Sequence, residues 1–161
     1  MENQLSQLYN ELAQKLISAI PTKWEKIYFL GEVEKGRLSC SSIFYFIDCE
    51  NGKAIRSHNI PQAYSVSEKM YNKFLFDLNN VLLKLYDCFA ENEQELWEQF
   101  TFYLNDAGKF DANFKYDIFH ENDGGQSRRE IIWAYETFGY KPKEGTYFGR
   151  ILCEYLNEKN G

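Results

Sequence analysis

A chain of 161 residues, 44% hydrophobic and 17% aromatic, has the size of one ordinary domain and enough apolar material to fill a core, which excludes a disordered protein. No apolar run reaches the ~20 residues that a membrane helix needs, and the opening MENQLSQLYN has neither a basic n-region nor an apolar h-region, so a cytoplasmic protein without a membrane partner is expected. The net charge of −6 is carried by one third of the chain: residues 85–127 hold ten acids and two lysines, a balance of −8, while the remainder sums to +2. Such a one-sided field repels nucleic acid and attracts a basic surface; the same acids also serve as a solvated face.

In chain order, Leu5, Leu8, Leu12, Leu16 and Ile20 recur every three or four residues and predict an amphipathic helix stopped by Pro21. KWEKIYFLGEV and LSCSSIFYFID follow as two strands joined across Glu34 to Arg37, with Gly36 supplying the turn. The second of them is apolar on both faces and is expected in the interior of its sheet or covered on both sides. A short third strand is expected at residues 54–57, inside the turn-rich NGKAIRSHNIP.

The longest helix is predicted to open with Ser65 and Glu68 at capping-box spacing, and to bury Met70, Phe74, Leu78, Leu82, Leu85 and Phe89. Next, FTFYLNDAGKFDANFKYD admits three readings: a metal loop, an acid cluster or a hairpin. Alternation decides. Phe100, Phe102 and Leu104 face one way in the first half, and Phe110, Ala112, Phe114, Tyr116 and Ile118 in the second, around a loop with Asn105, Asp106 and Gly108. The D-x-[DN]-x-[DN]-G spacing of a calcium loop is absent, so the stretch is a hairpin with Asp111 and Asp117 facing outward. After HENDGGQ, a helix with Ser127 and Glu130 at capping-box spacing ends at Gly139, and a last helix buries Phe148, Ile151, Leu152, Tyr155 and Leu156.

The expected fold is α+β: a single domain over residues 1–161, with a mainly antiparallel sheet built from two hairpins and packed with N-terminal, central and C-terminal helices. The four cysteines form no C-x-x-C pair, so no zinc site is expected and the thiols are read as reduced and mostly buried. No nucleophile elbow, phosphate loop or dinucleotide fingerprint occurs, and neither a cofactor nor a metal is expected. His120, with Glu121 and Asp123 in a Gly-containing loop, is the best catalytic candidate, although a charged surface loop before a helix is the commoner meaning of such residues. Arg128 and Arg129, in the first turn of a helix, are either solvated or paired with a nearby acid, or placed for a contact.

The succession of N-terminal helix, WEKIYFLGEV hairpin, Leu-rich helix, WEQFTFYLNDAGKFDANFKYD hairpin and RREIIWAYETFGYKP resembles the YezG family of antitoxin or immunity proteins over nearly the whole chain. Its most specific parts are GEV, GKF with the following F-x-Y-D, and the R-x-x-x-x-W helix before Pro142. The resemblance implies a non-enzymatic inhibitor that binds a nuclease toxin of LXG or related exported type inside a Gram-positive producer. It carries over no binding residues. From local charge and strand geometry, the tentative partner-binding set is Glu91, Glu93, Glu95, Glu98, Asp106, Asp111, Asp117, Glu121 and Asp123, joined by exposed aromatics. An interaction or homo-oligomer module of unknown partner is the alternative.

Overall fold

The computed structural model describes residues Met1–Gly161, which divide into two compact units, Met1–Ile118 and Phe119–Gly161. The first unit holds helix α1 (Glu2–Ala19), strands β1 (Trp24–Val33), β2 (Cys40–Asp48) and β3 (Ala54–Arg56), a single 3-10 turn, the short helix α2 (Ile60–Tyr64), the long helix α3 (Glu68–Glu91), and strands β4 (Gln99–Asn105) and β5 (Phe110–Lys115). The second holds α4 (Gln126–Phe138) and α5 (Tyr147–Asn160). The order matches the sequence-based expectation, except that α2 lies where only turn signals are legible.

All five strands pair antiparallel in the order β3-β2-β1-β4-β5, so each hairpin contributes a neighbouring pair and β1 joins to β4 across α3. On one face of the sheet, Ile27, Phe29 and Val33 of β1, Phe44 and Phe46 of β2, and Phe100, Phe102 and Leu104 of β4 meet Leu12 and Leu16 of α1 and Leu78, Leu82 and Leu85 of α3. Alternation along the strands produces this layer, because residues two apart share a face. Gly31 is the exception in β1: a Cβ there would collide with the side chain of Leu82, so the glycine of GEV is what lets α3 lie down on the sheet. Leu30, Ile43 and Tyr45 on the opposite face are buried too, and β2 is interior to the sheet, as its doubly apolar pattern implies.

Several local expectations need correction. Ser67, and not Ser65, caps α3 by accepting the Met70 N–H at 3.1 Å, while Ser65 takes a left-handed conformation at the end of α2. Met70 is 54% exposed. Each four-residue step advances about 40° beyond a full turn, so a stripe centred on Leu78 has left the core by Met70, and Tyr71 is buried in its place. α4 starts after Gly125, with no side-chain cap, instead of at a Ser127–Glu130 box, and Glu130 is buried. Gly139 does end α4 in the left-handed region, its N–H on the Tyr135 carbonyl. The thiols are all free, yet only Cys88 is buried: Cys49 lies in the turn after β2 and Cys153 on the outer side of α5. Tyr116 is exposed where an inward position was expected, since β5 stops at Lys115 and Asp117 turns the chain away at φ 54°.

Candidate functional site

The C-terminal end of α3 and the connection after it carry Glu91, Glu93 and Glu95. The helix closes with a Schellman arrangement, Gln94 N–H on the Phe89 carbonyl at 2.9 Å and Glu93 N–H on the Ala90 carbonyl at 3.2 Å, which sets Glu93 in the left-handed position usually held by glycine. A glutamate there carries a backbone penalty of about 1 kcal/mol. Glu91 and Glu93 also stand at the negative end of the helix dipole, the wrong end for acids. Local stability therefore does not account for these two residues.

Glu95 follows in the connection to β4, and Asp117 comes up beside it because β4 and β5 are paired with Gln99 opposite Lys115. Lys35, in the turn between β1 and β2, reaches the same place: its Nζ lies 2.9 Å from Asp117 Oδ1. That hydrogen bond, with the fields of Asp117, Glu98 and Glu95, holds the Lys35 ammonium above its ordinary pKa. The turn is itself tethered, since the Gly36 N–H donates to the hydroxyl of Tyr86 on α3 at 2.9 Å. Glu91, Glu93 and Glu95 are exposed.

Glu98 belongs to a different category from its neighbours. It is only 7% exposed, and its Oε1 accepts the Ile118 N–H at 3.0 Å, so the carboxylate fastens the chain leaving β5. The expectation that it faces a partner with Glu93 and Glu95 required an exposed side chain, and the start of β4 buries it. Beside it, Gln99 Nε2 donates to the buried Glu32 at 3.1 Å.

Asp106 and Asp111 lie at the other end of the β4–β5 hairpin, about 20 Å away by the length of β4. Asp106 is in the turn that Asn105 organises by accepting the Ala107 and Lys109 N–H groups. Asp111 is exposed on the face of β5 opposite the core. Nearby, Phe110 is 55% exposed and stacks on Phe102, and it lines an apolar groove with Tyr9, Ala13 and Ile17 of α1. The other exposed aromatics are scattered: Phe76 on α3, Tyr116 beyond β5 and Tyr147 at the start of α5.

In the second unit Glu121 is exposed, while Asp123 is an organiser of its own loop. Its carboxylate accepts the Gly125 N–H at 2.7 Å and the His120 N–H at 3.1 Å, and pairs with Arg129 at 2.8 Å. Burial pushes its pKa up, but these bonds and the Arg129 charge outweigh that and hold it below the ordinary value. Arg129 also lies over the Phe119 ring, and Arg128 pairs with Glu158 at 2.7 Å, so both arginines of the first turn have acidic partners. His120 is exposed, and the Asp123 carboxylate meets its backbone N–H and Arg129. No group of three or more His, Cys, Asp or Glu side chains could hold a metal ion.

The nine acids read from charge and strand geometry thus occupy distinct settings: Glu95 and Asp117 beside Lys35, Glu91 and Glu93 exposed at the C-terminal end of α3, a separate pair at Asp106 and Asp111, a buried fastener at Glu98, and two residues of the second unit. Lys35 was invisible to charge counting, because it lies more than fifty residues from the acids it meets.

No helix is long and apolar enough to cross a membrane. The family model described as immunity protein YezG-like matches residues 5–151. Over 157 residues the chain is 29% identical to the immunity protein YezG of Bacillus spizizenii, covering 98% of this chain and 96% of that protein. It is 28% identical over 160 residues to the type VII secretion system protein EsaG of Staphylococcus aureus, with 98% and 96% covered. To the immunity protein YezG of Bacillus subtilis it is 29% identical over 140 residues, with 87% and 91% covered. The chain belongs to the YezG-like immunity protein family.

Proposed function

We propose that this protein is an immunity protein that binds a cognate exported nuclease toxin in the cytoplasm of the producing cell and inhibits it stoichiometrically, without turnover. Membership of the family carries the reading, and the exposed acids Glu91, Glu93, Glu95 and Asp117 give it a physical means. A nuclease cleft is basic where it holds phosphates, and an exposed acidic end can steer to it or occupy it. Two acids kept at an unfavourable helix terminus support a role in contact, because they are costly to the helix itself. The name of the staphylococcal relative, a type VII secretion system protein, favours an exported toxin as the partner. Both units are taken as one immunity domain, a reading supported by a family match that runs across their boundary.

The test is titration into a candidate exported nuclease toxin domain, chosen from a neighbouring reading frame that is toxic when expressed alone. Cutting is expected to cease near one equivalent of this chain, and inhibition is expected to weaken as salt rises. The chain alone is expected neither to bind nor to cut DNA or RNA. Inhibition far below one equivalent would overturn the binding mechanism in favour of an enzymatic one, with His120 the first side chain to change. Tight nucleic-acid binding by the isolated chain would overturn the partner class.

A further inference from the structure

The outer ridge of α3 carries opposite charges at its two ends. The helix runs for 24 residues, about 36 Å, and its core stripe leaves Lys69, Phe76, Asn80 and Asp87 along the opposite side, with Lys73, Leu83 and Glu91 flanking them. Lys69 and Lys73 make no ion pair within the chain, although both are exposed. Phe76 is 64% exposed, the largest apolar side chain left open on this helix. Along the ridge itself the N-terminal half is basic, the middle holds Phe76, Leu83 and one amide, and the C-terminal half is acidic, with Lys84 at its edge paired to Glu11 and Arg37 paired to Asp87.

That order is self-complementary under a twofold axis. We propose that a second copy of this chain docks on this ridge, the two α3 helices packing antiparallel with Asn80 on the axis. In that register Lys69 faces Glu91 of the second copy, Lys73 faces Asp87, and Phe76 lies on Leu83 and the stem of Lys84; each contact occurs twice by symmetry. Parallel packing would set Lys69 on Lys69 and Asp87 on Asp87, so the charges select the antiparallel arrangement. Leu83 is half-buried in a shallow depression between α1 and Arg37, which leaves room for an incoming ring. A single helix pair buries area at the low end of specific interfaces, below or near about 1,200 Å², so association is concentration-dependent and salt-sensitive. Glu91 belongs both to this ridge and to the exposed acids proposed to meet a basic partner, so a partner that reaches it competes with the second copy.

The experiment is sedimentation of the full chain over a wide concentration range at low salt, with two charge-reversed forms, Lys69→Glu/Lys73→Glu and Asp87→Lys/Glu91→Lys. The unaltered chain is expected to dimerise, each reversed form to dimerise about tenfold more weakly or less, and an equimolar mixture of the two to restore dimerisation, because opposite charges then face each other at both ends. Should the Asp87 change disturb folding through its ion pair with Arg37, the single changes Lys69→Glu and Glu91→Lys repeat the comparison without it. An unaltered chain that stays monomeric at every concentration overturns the proposal. So does a dimer indifferent to both reversals, or one that mixing fails to restore.

Discussion

Lys35 Nζ lies 2.9 Å from Asp117 Oδ1, so the turn between β1 and β2 is tied to a residue just beyond β5, 82 positions later in the chain. Both side chains are exposed, and an exposed pair contributes little to stability. Its effect is electrostatic: one cation sits among Asp117, Glu95 and Glu98, and partly neutralises the field that the exposed Asp117 and Glu95 present.

Removing that cation is expected to strengthen the field. Lys35→Ala should accelerate association with a cationic toxin domain at low salt, and Asp117→Asn should slow it, while neither shifts the melting temperature appreciably. Stopped-flow association over a salt series measures this. Slower association by Lys35→Ala would mean that the lysine itself touches the partner.

A change at Glu93 is expected to act in opposite directions on stability and on recognition. Glu93→Gly relieves a left-handed glutamate at φ 56° and removes an acid from the helix C-terminus, and is expected to raise unfolding stability by about 1 kcal/mol. The same change should slow toxin association. Urea unfolding and association kinetics on one preparation give both quantities, and a loss of stability would refute the assignment of strain.

The β4–β5 hairpin divides by face. Phe102 is 2% exposed, and Phe102→Ala is expected to cost about 3 to 5 kcal/mol, enough to threaten folding. Asp111→Ala, on the opposite face, should stay within about 0.5 kcal/mol. Equal destabilisation by the two, measured by chemical denaturation, would contradict the register that pairs Phe102 with Ala112.

Acid should loosen the loop before α4. The folded pKa of Asp123 lies below its ordinary value of 3.8, so its carboxylate adds stability that is complete above that value and disappears as pH falls through the lower folded pKa. Hydrogen exchange at the Gly125 and His120 amides, which donate to it, is expected to rise over that interval. Asp123→Asn should remove this acid dependence, and an unchanged profile would assign the loop's order to other bonds.

Much of this protein is legible in its sequence, because periodicity is a local property. Alternating Phe100, Phe102 and Leu104 specify a half-buried strand, the Leu stripe of α3 specifies a helix, and Asn105 with Gly108 specifies the turn between β4 and β5. From these the antiparallel α+β architecture follows, and so does the family resemblance, since both depend on the order of elements. Capping was less legible: Ser65 and Ser67 offer equivalent hydroxyls, and the choice between them depends on where α2 ends.

Which acids stand together was decided only by the tertiary structure. Glu93, Glu95 and Glu98 look alike in a row, yet the packing of β4 beside β1 buries the last of them and leaves the others open. Lys35 meets Asp117 and Glu95 because β1 pairs with β4, and Asp106 stands apart from them because a hairpin places its two ends about 20 Å apart. A hydrophobic pattern records its own local structure, since burial of each side chain follows the helix or strand repeat. A charge has no such repeat, and its neighbours are set by long-range pairing of strands.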